Sequence, residues 1–222
     1  MKSSGTYNFH LVIIFFFTIL AVVNSRPPAA APAPQPATEP AESPEAFIEQ
    51  CCNATKLVNP KTCYQLLSPH APNIHYGNIT KGAIELIGVA LNLAMDETSA
   101  VKVTIEKLIK DFPKLLLIAI IDSLKKCAQL LGSSIDRIEQ SVGKLQHLNM
   151  TSKADLQFQI GTVLTLVVNA ETFEAQCTDA LLFNALFSVF LQENNVTAPL
   201  NQSVTLTQTA LALVAYTADH LI

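Results

Sequence analysis

The five cysteines are the side chains of this sequence best suited to covalent chemistry. Cys51 and Cys52 are adjacent, Cys63 follows after a short interval, and Cys127 and Cys177 lie far downstream. A structural zinc site needs four thiolate or imidazole ligands in close pairs, and the chain contains neither Cys-x-x-Cys nor His-x-x-x-His. The spacing therefore predicts one local and one long-range disulfide, and we expect no metal and no cofactor.

Other groups capable of catalysis do not form a recognisable pattern. Ser123 and Lys126 match a Ser-x-x-Lys string, but the companion motifs of that chemistry are missing. The chain has no Gly-x-Ser-x-Gly elbow and no glycine-rich phosphate loop. The histidines after residue 25 are separated and lack a nearby carboxylate pattern. They are His70, His75, His147 and His220. We therefore expect that the protein is not an enzyme.

The N-terminus has the features of a secretory signal peptide. Lys2 precedes an apolar run from Leu11 to Val23, and a plausible cleavage site follows Ser25. The run is shorter than the roughly 20 residues of a membrane span. We predict a signal peptide over residues 1–25, secretion, and no membrane segment in the mature form. Residues 26–44 are rich in Pro and Ala, which predicts a solvated linker before a domain over residues 45–222.

Glycosylation motifs and charge agree with an exported protein. The whole chain carries 14 Lys and Arg against 18 Asp and Glu, a net charge of -4. Its basic residues are scattered, so we expect no nucleic-acid partner, since phosphate binding draws on clustered Lys and Arg. Five N-x-S/T sequons are candidate glycosylation sites. They are Asn53, Asn78, Asn149, Asn195 and Asn201.

Two short helices are predicted at the start of the domain. Ser43 is suited to cap the first helix, with Pro44 at its first position. The second begins near Asn59, with Pro60 in its first turn, and ends at Pro69. Together they form a helical hairpin.

Four longer amphipathic helices follow, because apolar residues recur every three or four positions. The first covers about residues 79–112, and its pattern allows a break around Asp96 to Ser99. The second covers about 117–148, the third runs from about 152 to Leu191, and the fourth begins after Pro199 and Asn201. The predicted fold class is all-α: an up-and-down four-helix bundle preceded by the hairpin and stabilised by disulfides.

The helical positions of the cysteines restrict their pairing. Adjacent helical residues point about 100° apart, so only one of Cys51 and Cys52 is able to reach Cys63. The other remains as a spare thiol. Cys127 and Cys177 each fall on the apolar stripe of a long helix, which places both inside the bundle.

Three later segments are distinctive: Ser-Leu-x-x-Cys at 123–127, AETFEAQCTDAL around Cys177 and LTQTALALV at 206–214. Together with the hairpin, they resemble segments of the plant inhibitors of pectin methylesterase and invertase. The resemblance covers about residues 45–222 and favours Cys52 over Cys51 as the partner of Cys63. The residues that fit the family pattern in the hairpin are Ile48, Cys52, Thr55, Cys63, Leu66 and Leu67.

The resemblance implies inhibition by occlusion of the active-site cleft of a cell-wall carbohydrate-active enzyme, with pectin methylesterase favoured over acid invertase. It places the protein in the apoplast or cell wall. For pectin methylesterase it implies contacts on the exposed faces of the second and third bundle helices, and for invertase a Pro-Lys-aromatic element, weakly matched by Pro113 and Lys114. The candidate contact residues are Lys125, Asp136, Arg137, Glu139, Gln140 and Lys144.

A non-inhibitory exported bundle is the alternative, serving as a ligand or as a carrier of a small apolar molecule. A continuous apolar cavity inside the bundle would favour the carrier, whereas a filled core with a polar outer face would favour the inhibitor. In either case we expect a monomer or a weak dimer, with Cys51 either buried or a handle for dimerisation.

Overall fold

The structure is a computed structural model that describes residues 41–55, 58–111, 118–181 and 185–220, without the side chains of residues 185–187. The predicted signal peptide and most of the predicted linker lie outside these ranges. Pro113 and Lys114 also lie outside them, so the predicted invertase element is a matter of sequence alone.

The N-terminal hairpin begins where the capping residues predict. Helix α1 spans Pro44–Ala54, and the Oγ of Ser43 accepts a hydrogen bond from the backbone N–H of Ala46 at 3.2 Å. Helix α2 spans Pro60–Leu67, and the Oδ1 of Asn59 caps its first turn. Proline fits both helices at the first position, because the N–H that it lacks has no partner there. A short 3-10 helix over residues 68–73 continues α2 towards the bundle.

Four long helices form the bundle, and one short helix links the last two. Helix α4 packs between α3 and α5, and α7 packs against α3 and α5, so the four long helices close into a ring. The described residues form no strand, and the prediction of an all-α, disulfide-stabilised bundle is confirmed. No described helix is long and apolar enough to cross a membrane. The helices are α3 Ile79–Asp111, α4 Ile118–Gln146, α5 Lys153–Leu181, α6 Ala185–Glu193 and α7 Thr197–His220.

Two predicted helix boundaries differ from the structure. Helix α3 is continuous through residues 96–99. The third predicted helix is described as α5 up to Leu181 and as α6 from Ala185, and residues 182–184 between them lie outside the described ranges. Helix α7 begins at Thr197, before Pro199 rather than after it. Pro199 is tolerated in the first turn, where backbone N–H groups have no partner within the helix.

The turn from α6 into α7 is a Schellman motif. Asn195 has a positive φ of 55°. The N–H of Val196 donates to the carbonyl of Leu191 at 2.9 Å, and the N–H of Asn195 donates to the carbonyl of Gln192 at 3.1 Å. Asparagine tolerates this left-handed conformation better than most residues. Val196 and Leu191 are both buried here, which supplies the hydrophobic contact of the motif.

A layer of polar side chains divides the buried core into two hydrophobic clusters. The cluster at the hairpin end includes α1, α2 and the adjoining halves of the four long helices. The cluster at the other end surrounds the buried pair Cys127 and Cys177. Each long helix contributes at least one buried polar side chain to the boundary between them. We call this boundary the polar layer, and its members are Thr98, Ser134, Glu174, Ser203 and Thr207.

Candidate interaction surface

Two disulfides join pairs of helices in the described structure. Cys52 is bonded to Cys63, which joins α1 to α2 across a separation of 11 residues. Cys127 is bonded to Cys177 across a separation of 50 residues. The second disulfide joins α4 directly to α5, so the outer faces of these two helices are held side by side.

Cys51 is a free and buried cysteine. Burial raises the pKa of its thiol to about 12, so the thiol stays protonated at physiological pH. Only the thiolate is an effective nucleophile, and Cys51 is therefore unsuited to catalysis or to disulfide exchange in the folded protein.

The predicted contact residues on α4 are accessible, but they form two strips rather than one cluster. Arg137, Gln140 and Lys144 follow one another at intervals of three and four residues and share one strip. The Nη1 of Arg137 donates a hydrogen bond to the Oε1 of Gln140 at 3.1 Å. Arg137 is partly exposed and the others are exposed. The members of the second strip are Lys125, Asp136 and Glu139.

The outer face of α5 is uncharged and contains exposed apolar side chains. The helix has no charged residue between Asp155 and Glu171. Phe158 is 77% exposed and Val168 is 43% exposed. Three threonine hydroxyls on this side donate to the carbonyl four residues earlier, at 2.8 to 3.1 Å, which reduces their need for water. We call this surface the neutral face of α5, and it comprises Phe158, Thr162, Thr165, Val168, Asn169 and Thr172.

The family resemblance implied contacts on the exposed face of α5, but none of the candidate contact residues lies on that helix. The signal that could have found the neutral face is a long uncharged interval in a helix whose buried stripe takes up only one side. A solvated helix surface ordinarily carries charged residues.

The five predicted glycosylation sites lie outside α4 and α5, and all five asparagines are exposed. Asn53 is on α1, Asn201 is on α7, and Asn195 ends α6. The Oδ1 of Asn78 accepts a hydrogen bond from Lys81 N at the start of α3. Asn149 lies between α4 and α5 and accepts from Thr151. No sequon therefore lies on α4 or α5 themselves, and Asn149, which is hydrogen-bonded to Gln159 next to Phe158, adjoins the end of the α5 face.

Glu174 in the polar layer is a further residue that sequence analysis missed. Its side chain is 0% exposed, and burial raises the pKa of its carboxyl group, although hydroxyl hydrogen bonds oppose the shift. The available signal was a carboxylic acid on the apolar stripe of α5, four residues after Ala170 and three before Cys177. Buried carboxylic acids need partners, and their presence on a stripe indicates a polar contact inside the core.

His75 does have a carboxylate partner, contrary to the prediction for the histidines. Its Nδ1 lies 2.8 Å from the carboxylate of Glu85, and its backbone N–H also donates to Glu85 at 2.8 Å. The imidazole is exposed, and the pair ties the loop before α3 to that helix. The two residues are ten positions apart, which is why the helical pattern gave no indication of the contact.

Comparison with known proteins identifies the family of this chain. The family model described as plant invertase/pectin methylesterase inhibitor matches residues 46–213. Pectinesterase inhibitor 9 from Arabidopsis thaliana is 29% identical over 143 residues, which are 64% of this chain and 67% of that protein. This chain matches no solved structure. Proteins of the family are extracellular inhibitors rather than enzymes, which confirms the predicted absence of enzymatic activity. The chain belongs to the plant invertase/pectin methylesterase inhibitor family.

Proposed function

We propose that this protein inhibits a pectin methylesterase by covering the enzyme's substrate cleft with the outer faces of α4 and α5. The family match and a relative named as a pectinesterase inhibitor support the target class. The observation that carries the choice of surface is the pairing of two exposed helix faces through Cys127 and Cys177, with no sequon on either helix.

The chemistry of the two faces suits a protein interface. The neutral face of α5 is able to lose water at small cost, and Phe158 supplies an aromatic side chain of the kind enriched at interface centres. The charged strips of α4 orient the approach of the enzyme and act at the rim. A disulfide-linked pair of helices is preorganised, so little conformational entropy is lost on docking.

The direct test is inhibition by the purified protein. We would titrate it, at mildly acidic pH, into a pectin methylesterase assay and separately into an acid invertase assay. We expect loss of pectin methylesterase activity and no change in invertase. Inhibition of invertase alone would support the alternative target and direct attention to Pro113 and Lys114. No effect on either enzyme would support a non-inhibitory bundle.

A matched pair of substitutions tests the surface. Phe158→Asp places a charge on the neutral face of α5, and we expect a loss of about 2 kcal/mol of binding energy, or about a 30-fold higher inhibition constant. Val103→Asp makes the same type of change on α3, where Val103 is 63% exposed. The inhibition constant of this control should be unchanged. Equal effects of the two substitutions, or no effect of Phe158→Asp, would rule out this face.

The carrier alternative has little support in the described core. The polar layer interrupts the apolar interior between the two clusters, so the clusters do not form one continuous apolar channel. An apolar cavity of about 170 Å³ lies beside Leu181, Leu191 and Leu200. This is smaller than the roughly 300 Å³ at which ligand pockets begin.

Export and processing are part of the same proposal. Residues 1–25 serve as a signal peptide, residues 26–44 as a linker, and residues 45–222 as the inhibitor domain, in a protein secreted to the cell wall as a monomer or weak dimer. N-terminal sequencing of the secreted protein should begin at Arg26. Glycopeptide mass spectrometry should find glycans at the predicted sequons, and sedimentation should give the mass of one or two chains.

A further inference from the structure

The polar layer places a single carboxylic acid at the centre of the bundle. Glu174 comes from α5, and each of the other three long helices directs at least one hydroxyl at it. Among the buried side chains of the described ranges, Glu174 is the one carboxylic acid. The hydroxyl oxygens lie 2.9 to 3.3 Å from its Oε1. They belong to Thr98 of α3, Ser134 of α4, and Ser203 and Thr207 of α7.

The hydrogen bonds are distributed unequally between the two carboxyl oxygens. All four hydroxyls are within reach of Oε1, but Thr98 and Ser203 also lie 2.6 Å from each other, so that one donates to the other, and the Thr98 hydroxyl is within 2.6 Å of the carbonyl of Ala94 as well. Oε2 is buried and has no hydrogen-bond partner. An ionised Glu174 would therefore hold a charged oxygen in the core without a donor, which is strongly unfavourable. Protonation of Oε2 removes that charge and leaves the donors to Oε1 in place.

Within the described ranges, no cationic side chain forms an ion pair with Glu174. The charged side chains near the layer lie on α3, α4 and α5. They are bonded to residues other than Glu174 or are partly exposed at the edge of the layer. Helix α7 has no charged side chain before Asp219. Burial is the largest influence on the Glu174 carboxyl and moves its pKa above the ordinary 4.5, while the four hydroxyls oppose that shift only in part. The neighbours are Lys102 paired with Glu106, Glu97 beside Thr98, Arg137 bonded to Gln140, and Glu171 bonded to Gln208.

We propose that the polar layer is a proton-binding site that makes the folded inhibitor more stable at acidic pH than at neutral pH. Below about pH 4.5 the carboxyl is protonated in the folded and the unfolded chain alike. At higher pH the unfolded chain loses this proton first, while the folded chain keeps it. Stability therefore falls as the pH rises through this window, and it levels off once the folded protein has also released the proton.

Urea unfolding at a series of pH values tests this proposal. The protein, with both disulfides formed, would be followed by circular dichroism between about pH 4 and pH 8. Where the folded protein holds one proton more than the unfolded chain, each unit of rising pH lowers the folding equilibrium constant by up to about tenfold. We expect Glu174→Gln to remove this one-proton dependence. Glu171→Gln, on the same helix but outside the layer, should retain it.

A wild-type pH dependence that persists in Glu174→Gln would overturn the proposal. A second measurement does not require that variant to fold. Carboxyl-carbon NMR of the wild-type protein should show one Glu resonance that titrates at higher pH than the others. Titration of every Glu carboxyl near 4.5 would contradict a proton held in the layer. Neither measurement involves inhibition, so the result is independent of the proposed target enzyme.

Discussion

The disulfide between α4 and α5 is expected to contribute much of the stability of the bundle. We would replace Cys127 and Cys177 together by Ala, which leaves no unpaired thiol in the core. The disulfide spans 50 residues. The loop-entropy relation gives about 4 kcal/mol for a loop of this length. The same relation gives about 3 kcal/mol for the 11-residue separation of Cys52 and Cys63.

The expected loss is large enough to measure directly. For a chain of this size, 1 kcal/mol corresponds to about 2 to 4 °C in Tm, so the double variant should melt about 8 to 16 °C below the wild type. Calorimetry and urea unfolding at one pH would supply Tm and the free energy of unfolding. Because the entropic part acts on the unfolded chain, chemical reduction of the wild type should also lower stability.

Cys51→Ala is the matched control for this experiment. Cys51 is buried like the bonded cysteines but makes no disulfide. Its replacement removes one buried atom, with an expected cost of about 1 kcal/mol. Equal losses in the control and the double variant would mean that buried sulfur, rather than the covalent link, supplies the stability, and would refute the reasoning.

Two further predictions concern α3. Gly82→Ala should destabilise the protein by about 1 to 3 kcal/mol in urea unfolding, because the new Cβ would lie 2.5 Å from the carbonyl oxygen of His75 and 3.0 Å from the ring of Phe47. Gly88→Ala meets open space and should stabilise the helix, so a loss in both variants would contradict the steric argument. Lys102→Met should raise the pKa of Glu106 in an NMR titration, since the hydrogen bond and charge of Lys102 lower that pKa. An unchanged Glu106 pKa would show that the ion pair is not formed in solution.

The apolar periodicity predicted the four long helices, and its one irregular interval has a physical cause. The pattern weakened at residues 96–99 of α3, where Thr98 occupies a core position with a hydroxyl instead of an apolar group. That hydroxyl bonds to Glu174, 76 residues later. A long-range polar contact of this kind has no local signature, so a continuous helix resembled an interrupted one.

The choice between Cys51 and Cys52 shows a second limit of local reasoning. Both side chains are buried, with exposures of 3% and 0%, so burial alone does not distinguish them. The helix geometry established that only one reaches Cys63, and the family pattern was needed to say which. The individual residues of the neutral face of α5 were not named for a related reason, because periodicity identifies the buried side of a helix and says little about what the other side binds.

The polar layer also restricts how the four helices slide along one another. One helical turn corresponds to about 5.4 Å along the axis, nearly twice the length of the bonds to Glu174. A slip of α3, α4 or α7 by a turn would carry the hydroxyl of that helix out of reach and leave the buried carboxyl group with fewer hydrogen bonds. Apolar stripes alone tolerate such slips, because one leucine replaces another. The layer therefore fixes the axial register of the four helices. It also fixes which residues of neighbouring helices lie side by side on the outer surface.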